Sequence, residues 1–285
     1  MKRTFTLATG AYQVDYLESW QAYQDKISGW VEEAVTQDAK LLVFPEYAGQ
    51  ELASLEGADR QGSLAVVSEK LFTRSAQFLA QLSERHQVTI LGGSAGTWTD
   101  EFQHPVNRAP LLIPGEAPKT VDKQIMTRWE REHWSVRRGK PLELFDTPVG
   151  KLGVVICYDA EFPLLARGLV EQGAEVLLAP SATETLHGYN RVRIGAMARA
   201  LEGQCVVAHA PLVGAGFHEA IDMNRGAAAV YGPPDRGFPD NGELARGALD
   251  QAGWVFAQVD LDAIEAVRRD GGVLNYLHWD EQLGQ

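Results

Sequence analysis

The sequence predicts an α/β protein whose β-sheet is mixed, and three observations support this fold class. Apolar runs of strand length alternate with longer segments in which apolar residues recur at helical spacing. Two of the runs flank Pro148-Val149-Gly150 and have the pattern of a hairpin, which a purely parallel sheet lacks. No repeat, low-complexity segment or Pro/Gly/Ser-rich linker interrupts the 285 residues, so we expect a single domain over residues 1–285.

The individual elements follow from the same periodicities in chain order. Residues 40–44 form an apolar run of the kind found in strands that are buried on both faces. The first helix is indicated by Trp20, Tyr23, Ile27 and Trp30, which recur on one helical face. We predict strands at residues 5–12, 40–44, 88–92, 107–113, 142–147, 151–157, 175–179, 205–209, 225–231 and 254–259, and a further strand end at Val121-Asp122. We predict helices at residues 18–37, 63–86, 164–172, 189–203 and 262–269.

The composition disfavours several classes of partner. With 45% hydrophobic and 22% charged residues, the chain has the makeup of a globular protein with a sizeable core. Its net charge of −12 disfavours nucleic acid and anionic membranes as partners, because both bind basic patches. Residues 4–12 are too short and polar for the apolar core of a signal peptide, and no apolar run approaches membrane length.

Cysteine and histidine spacing bear on the compartment and on cofactors. Two cysteines, Cys157 and Cys205, do not make a disulfide framework, so we expect a cytoplasmic protein in a reducing compartment. Cys205 lies in an apolar run and is read as a core residue. The seven histidines show no metal-ligand spacing, so we expect neither a metal nor another cofactor.

Cys157 stands where a buried strand ends and a helix begins shortly afterwards. The β-branched run before it predicts the strand, and Glu161 and Pro163 indicate the start of the helix. This arrangement would hold the thiol at the rim of the sheet, near a helix N-terminus that favours a thiolate. The alternative is a small buried core residue, as most free cysteines are, and this stretch alone does not decide between the two.

Two other strand ends carry reactive side chains. Glu46 follows the strand that includes Leu42-Val43-Phe44, and Lys123 follows Val121-Asp122. Ligands of open α/β sheets bind beyond the carboxyl ends of strands, so these side chains could converge with Cys157. A carboxylate can take the proton of a thiol, the thiolate can attack an acyl carbon, and an ammonium can face the oxyanion.

These three motifs, in this order and at this spacing, resemble the nitrilase superfamily of carbon–nitrogen hydrolases. The resemblance rests on Phe44-Pro45-Glu46, on Lys123, and on Cys157-Tyr158-Asp159 followed by Phe162-Pro163, and it extends over essentially the whole chain. The chain looks most similar to a bacterial subgroup in which some members carry an additional N-terminal acetyltransferase domain. At 285 residues it is too short to include that domain.

The resemblance implies a four-layer αββα sandwich with two mixed β-sheets, which usually dimerises through helices near the active site. It implies hydrolysis of a non-peptide amide through a thioester, without a cofactor. Glu46 is then the general base, Lys123 the oxyanion stabiliser and Cys157 the nucleophile. The backbone N–H of Tyr158 is the expected second oxyanion donor.

The superfamily also has a second glutamate between the lysine and the cysteine, and this chain offers Glu130 and Glu132. In the family this residue is usually followed by an apolar or aromatic residue after four positions and by a glycine after seven. Glu132 meets both conditions, through Val136 and Gly139, whereas Glu130 meets only the first. We therefore expect Glu132 to hold the lysine and to help position substrate or water.

Several residues beside these are candidates for the substrate pocket. They are Tyr47, Glu161, Ser181 and Thr183, with Trp129 and Trp134 as candidates to cover the site. Each has a structural alternative: Glu161 as a first-turn carboxylate, Ser181 and Thr183 as helix caps, and the tryptophans as loop packing.

The sequence therefore predicts an amidase-type carbon–nitrogen hydrolase that acts on a small linear amide, with the homodimer as the expected assembly. Alternatives within the same scaffold are a nitrilase acting on a nitrile, a carbamoylase and an N-acyltransferase. A non-catalytic binding protein is a further alternative, which the intact Glu46, Lys123 and Cys157 disfavour.

Overall fold

A computed structural model describes residues 3–57, 67–217 and 221–283. Its β-strands are β1 (Thr4–Ala11), β2 (Ala39–Val43), β3 (Thr89–Leu91), β4 (Ala95–Thr97), β5 (Val106–Leu112), β6 (Lys119–Asp122), β7 (Phe145–Thr147), β8 (Gly150–Val154), β9 (Val176–Ser181), β10 (Val206–Pro211), β11 (Gly214–Ala215), β12 (Met223–Asn224), β13 (Ala229–Tyr231), β14 (Glu243–Arg246) and β15 (Gly253–Asp260). Its α-helices are α1 (Trp20–Thr36), α2 (Glu69–His86), α3 (Arg128–Glu132), α4 (Pro163–Glu171), α5 (Leu186–Gly203) and α6 (Leu261–Asp270). Short 3₁₀ helices lie at Ala48–Glu56, Cys157–Glu161 and His278–Leu283.

The strands of the described ranges form two large mixed sheets and one small ribbon. The first sheet has the order β15-β1-β2-β3-β5-β4, with β6 also paired to β5. The second has the order β14-β13-β10-β9-β8-β7, and β11 pairs with β12 separately. Each large sheet has a parallel centre, β1-β2-β3 in the first and β8-β9-β10 in the second, flanked by antiparallel strands.

The alternation of side chains along the central strands produces four layers. In β2, Leu41 belongs to the core between the two sheets, whereas Leu42 packs with α1 and α2 on the outer face of the first sheet. In β9, Leu178 faces the other sheet and Leu177 packs with α4 and α5. Because both faces of these strands are buried, their sequences are continuously apolar. The fold is an αββα sandwich with two mixed sheets, as predicted.

Several predicted boundaries differ from the observed ones. The strand predicted at residues 142–147 begins only at Phe145, and the one predicted at 225–231 pairs only from Ala229. The helix predicted at 189–203 begins earlier, because the Thr185 hydroxyl accepts a hydrogen bond from the Gly188 amide and caps it. The predicted start of the second helix, residues 63–66, lies outside the described residues.

Several short elements were not predicted, including β4, β14 and α3. Each is five residues long or shorter, so it offers too little periodicity to be recognised from sequence. In the part of the chain that the structure describes, no helix combines the length and the apolarity that crossing a bilayer requires.

A buried carboxylate ties the first strand and α1 to the segment that follows Glu46. Glu51 lies in the 3₁₀ helix Ala48–Glu56 and is fully buried. Its carboxylate accepts hydrogen bonds from the Tyr12 hydroxyl and the Asp15 amide, both at 2.7 Å, and forms an ion pair with Lys26. Burial raises the pKa of Glu51 to about 7, although the ion pair and the hydrogen bonds oppose the rise.

This carboxylate gives the stability of the protein a specific dependence on pH. Because the native pKa of Glu51 lies above its ordinary value of 4.5, the folded state binds more protons than the unfolded chain between pH 4.5 and about 7. The contribution of Glu51 to the free energy of unfolding therefore falls as the pH rises through that window. We expect Glu51→Gln to remove this slope, so that the stability advantage of the wild type over the variant shrinks by about 1–3 kcal/mol between pH 5 and pH 8.

Urea unfolding at the two pH values measures this difference. Glu33→Gln, which changes an exposed carboxylate of α1, is the control and should differ from wild type equally at both. A constant difference between wild type and Glu51→Gln would contradict the prediction.

Candidate functional site

Three strands end beside one another, and a reactive side chain follows each of them. β2 and β6 run in the same direction in the first sheet, and β8 lies in the second. Glu46 stands three residues after β2, Lys123 directly after β6, and Cys157 three residues after β8. The carboxyl ends of both sheets therefore supply one site, as the strand-end pattern predicts.

The backbone is strained at two positions of this site. Cys157 has a φ of 51° and Tyr47 a φ of 57°, in the left-handed region that bulky side chains rarely adopt. The strand before the cysteine ends at Val154, earlier than predicted, and the 3₁₀ helix Cys157–Glu161 separates the thiol from α4. The sharp turn at Cys157 lets its side chain point into the site instead of continuing the strand.

Lys123 is buried between two carboxylates. Its ammonium nitrogen lies 2.7 Å from Glu46 Oε1 and 3.0 and 2.8 Å from the two carboxylate oxygens of Glu130. Each of the three side chains is no more than 2% exposed. The other oxygen of Glu46 accepts a hydrogen bond from the Ala182 amide at 2.9 Å. The Cys157 thiol donates to the Ala182 carbonyl at 3.9 Å, and burial together with the charge of the Glu46 carboxylate raises the pKa of this thiol.

The preference for Glu132 as the second glutamate is wrong for this geometry. Glu132 is exposed and pairs with Arg128 on the surface of α3, whereas Glu130 contacts Lys123. Glu130 also accepts a hydrogen bond from the Tyr47 hydroxyl at 2.8 Å. Residues two apart on a helix point about 200° away from each other, so only one of the two glutamates can face the lysine.

A local signal in the sequence identifies Glu130. Thr127 caps α3, its hydroxyl accepts a hydrogen bond from the Glu130 amide, and Glu130 accepts one from the Thr127 amide in return. This capping box has the spacing Thr-x-x-Glu, which is readable from the sequence alone. It fixes the side chain of Glu130 at the start of the helix, directly beside Lys123.

The carboxylates of Glu46 and Glu130 differ in their affinity for protons. Burial raises the pKa of Glu46, and the nearby charge of Glu130 adds to a rise that Lys123 only partly offsets. Burial acts on Glu130 too, but Lys123 and the hydrogen bonds from Thr127 and Tyr47 outweigh it, so the pKa of Glu130 lies below its ordinary value. Although burial lowers the pKa of Lys123, the two carboxylates raise it well above its usual range. Glu46 is thus the carboxylate that can accept a proton.

The thiol of Cys157 is protonated in the resting site. Burial raises its pKa well above the ordinary value, and the adjacent Glu46 carboxylate adds to the rise. The thiolate expected from a helix N-terminus is therefore not favoured, because Cys157 is buried and is the first residue of the short 3₁₀ helix, not of α4. A base must take the proton as the sulfur attacks.

Two further residues support the site, and neither was assigned a role from the sequence. Asn107 on β5 donates hydrogen bonds from its amide nitrogen to Glu46 and to Glu130, at 2.9 and 3.3 Å. Asp159 is buried and accepts hydrogen bonds from the amides of Gln124 and Ile125, at 3.0 and 2.7 Å. Asp159 thereby ties the turn after Cys157 to the loop after Lys123, across the two sheets.

The predicted pocket residues divide into those that line the cavity and those that do not. Tyr47 lines it. Ser181 is buried and its hydroxyl contacts His209 at 2.9 Å, and Thr183 donates to the Arg225 carbonyl at 3.0 Å. Ala182 and Glu184 line the cavity instead, because side chains of an extended segment alternate between its two sides.

Two more predicted residues stand outside the lining. Glu161 pairs with Arg191, 3.6 Å away, and does not line the cavity. The half-buried ring of Tyr158 packs edge-on against Phe162. The assignment of the Tyr158 backbone N–H to the oxyanion stays a prediction.

A cavity of about 340 Å³ opens above Cys157, a size within the usual range for small-molecule sites. Trp129 and Trp134 form aromatic walls, and Trp134 packs edge-on against Tyr47. The complete lining consists of Glu46, Tyr47, Lys123, Thr127, Trp129, Glu130, Trp134, Cys157, Ala182, Glu184, Ile221, Asp222, Met223 and Asn224. Within residues 3–57, 67–217 and 221–283, no group of three or more His, Cys, Asp or Glu side chains is arranged to hold a metal ion.

Sequence comparisons match this chain to the carbon–nitrogen hydrolases. The sequence profile of the carbon–nitrogen hydrolases matches residues 8–269. A probable hydrolase of Bacillus subtilis is 30% identical over 268 residues, which are 92% of this chain but only 51% of that protein, so the chain spans about half of its length. A deaminated glutathione amidase of Synechocystis is 31% identical over 251 residues, which cover 83% of this chain and 85% of that enzyme.

Solved structures agree on the fold. The crystal structure of a nitrilase-superfamily member from Saccharomyces cerevisiae matches with a TM-score of 0.74, covers 93% of both chains and has 20% sequence identity. At that identity the likeness establishes the αββα fold and not the activity.

The two neighbouring glutamates provide a matched test of the site. We expect Glu130→Gln to lower the free energy of unfolding by about 2 kcal/mol, because it removes one of the two charges that compensate the buried Lys123. We also expect it to lower turnover by about 100-fold or more, because the lysine is then no longer held between two charges. Glu132→Gln, two residues away and exposed, should change stability by less than about 0.5 kcal/mol and turnover by less than about twofold.

Urea unfolding and steady-state kinetics of the two variants, measured side by side, check this prediction. Equal effects of the two substitutions would contradict the assignment of Glu130.

Proposed function

Because the chain belongs to the carbon–nitrogen hydrolase family, the nitrilase superfamily, we propose that it hydrolyses the carbon–nitrogen bond of a small linear amide through a thioester at Cys157. Similarity to an enzyme named as an amidase supports this bond type. The observation that carries the proposal is the arrangement of Cys157, Glu46 and Lys123 at the base of one cavity, where base, nucleophile and cation are in mutual reach.

The first half of the reaction forms the thioester. Glu46 takes the thiol proton while the sulfur of Cys157 bonds to the carbonyl carbon, and the electron pair of the C=O π bond moves to the oxygen. The ammonium of Lys123 stabilises that oxyanion, and we assign the Tyr158 backbone N–H as its second donor. When the oxyanion collapses, the C–N bond breaks and the leaving amine takes the proton from Glu46.

The second half returns the enzyme to its starting state. Glu46 takes a proton from a water molecule as the water oxygen attacks the thioester carbon. Collapse of this second tetrahedral intermediate breaks the C–S bond, and the sulfur recovers a proton from Glu46. One base therefore serves both halves, which suits a carboxylate whose pKa is raised above its ordinary value.

Further proposals concern the subgroup, the domain organisation and the cellular location of the protein. We place the chain in the bacterial subgroup in which some members carry an acetyltransferase domain, and the Bacillus relative, about half of which lies outside the match, is compatible with it. We also propose a single domain and a cytoplasmic location. Support for the location comes from Cys157 and Cys205, which are both free thiols.

We propose that the protein is a homodimer joined through α4 and α5. These helices cover the outer face of the second sheet, and both expose large apolar side chains. Leu164 on α4 is 75% exposed and Ile194 on α5 is 62% exposed. Leu201 stands seven residues after Ile194, on the same side of α5, and is exposed as well. Such an apolar stripe beside the active site supports contact with a second copy of the chain.

The two cysteines give the chemical proposal a matched control. We expect Cys157→Ala to lower ammonia release from small amides by at least about 1000-fold, because no other group can form the thioester. Cys205→Ala, a buried core substitution, should keep turnover within about twofold and lower stability by about 1 kcal/mol. A panel of amides, carbamoyl compounds and nitriles identifies the bond, and intact-mass spectra of the wild type should show an acyl adduct. Turnover by Cys157→Ala, or an adduct on Cys205, would overturn the proposal.

The assembly is tested by introducing charge on the apolar stripe. We expect the wild type to have twice the 31.3 kDa mass of one chain by light scattering, and Ile194→Asp to be monomeric. Trp98→Asp, which changes an exposed apolar residue at the edge strand β4, is the control and should remain dimeric. Unchanged mass of Ile194→Asp would exclude this face as the interface.

A further inference from the structure

The mouth of the catalytic cavity carries carboxylates that form no ion pair with the residues that the structure describes. Glu184 follows β9 and Asp222 precedes β12, and both side chains line the cavity and are exposed. Among the described residues, neither carboxylate forms an ion pair. This sets them apart from most carboxylates near the site: Glu132 pairs with Arg128, and Glu161 pairs with Arg191.

Among the described residues that line the cavity, none offers a free cation to an anionic substrate. Lys123 is the cationic side chain in the described lining, and Glu46 and Glu130 already neutralise it. The described lining contains four carboxylates and one ammonium, so carboxylates outnumber cations there. A cleft with walls of one charge sign concentrates ligands of the opposite sign, and the net charge of −12 of the chain adds to this.

The aromatic walls favour the same class of ligand. Trp129 is 57% exposed and its ring packs against that of His133, Trp134 is partly buried, and both line the same cavity as the two carboxylates. Indole faces attract ammonium groups, and tryptophan does so most strongly among aromatic side chains. Carboxylates next to indole rings therefore form a site for a protonated amine, while the rings also accept an alkyl chain.

We propose that this mouth selects amides that carry a protonated amine away from the scissile bond, with Glu184 and Asp222 as the specificity-determining residues. The inference rests on the proposed function, because it assigns the distal end of the same substrate. The amide carbonyl lies at Cys157, the linking chain lies against the tryptophans, and the ammonium lies between the two carboxylates. An amide with a distal carboxylate is disfavoured, because its charge would be repelled with no cation to receive it.

Three amides with spines of equal length separate the effect of charge from that of shape. They are 4-aminobutanamide, which is cationic, pentanamide, which is neutral, and the monoamide of glutaric acid, which is anionic. We expect the wild type to hydrolyse the cationic amide with a kcat/KM about tenfold or more above that of the anionic one. Because the carboxylates are exposed, about 1 M salt should reduce this ratio.

Charge-neutral variants of the mouth identify the residues responsible. In the double variant Glu184→Gln/Asp222→Asn we expect the ratio between cationic and anionic amides to fall to within about threefold, while kcat/KM for pentanamide stays within about twofold of wild type. The change should appear mainly in KM, because the amine lies far from the reacting atoms. Glu132→Gln removes an exposed carboxylate outside the cavity and should leave the ratio unchanged.

The outcomes distinguish this inference from the proposed function. Turnover of pentanamide with equal or better turnover of the anionic amide would overturn the inference and leave the proposed function intact. If none of the amides is hydrolysed, the proposed function fails, and calorimetric binding of the three amides to the wild type decides the inference instead. Tighter binding of the cationic amide, lost in the double variant, would support it, and binding without that preference would overturn it.

Discussion

The burial of the Lys123 ammonium between two carboxylates is the interaction on which the rest of the site depends. An ammonium taken out of water is strongly destabilising unless opposite charges and hydrogen bonds surround it. Glu46 and Glu130 supply the charges, Asn107 and Tyr47 donate further hydrogen bonds to oxygens that the lysine also contacts, and the Ala182 amide donates to the Glu46 oxygen that the lysine leaves open. These ion pairs and hydrogen bonds hold the buried side chains of the cluster against one another. Its electrostatic field is therefore in place before a substrate arrives, which is the condition for effective oxyanion stabilisation.

The sandwich holds that cluster together by bringing two sheets into register. Glu46 and Lys123 belong to the first sheet, whereas Cys157 belongs to the second, so their proximity depends on the core between the sheets. Two contacts bridge the sheets at the site itself. The Ala182 amide, which follows β9, donates to Glu46, and Asp159 accepts from the loop after Lys123. A close-packed core keeps the nucleophile and its base in reach, because such interiors tolerate little displacement.

The charged side chains at the base of the cavity form ion pairs, whereas the carboxylates at its mouth form none with the described residues. At the base, charges are buried and paired, so their protonation follows from burial and from each other. At the mouth, Glu184 and Asp222 are exposed and lack a partner among the described residues. Buried ion pairs hold charged groups in a constant position around the reacting atoms. Exposed unpaired charges attract or repel ligands that approach from solvent. The two regions are therefore suited to different tasks, bond cleavage and selection of the substrate.

The sequence by itself determined the α/β class, most strands and helices, and the positions of Glu46, Lys123 and Cys157. The strands were accessible because continuous apolar runs mark buried strands, and the three site residues were accessible because their motifs together resemble a known family. The tertiary structure decided which neighbouring residue faces the site, although the capping box of Thr127 and Glu130 was a local signal for one such residue. Glu130, not Glu132, contacts Lys123, and the cavity is lined by the residues that alternate with Ser181 and Thr183. In each case the sequence gives the period of a helix or strand, but the phase is set by what that element packs against.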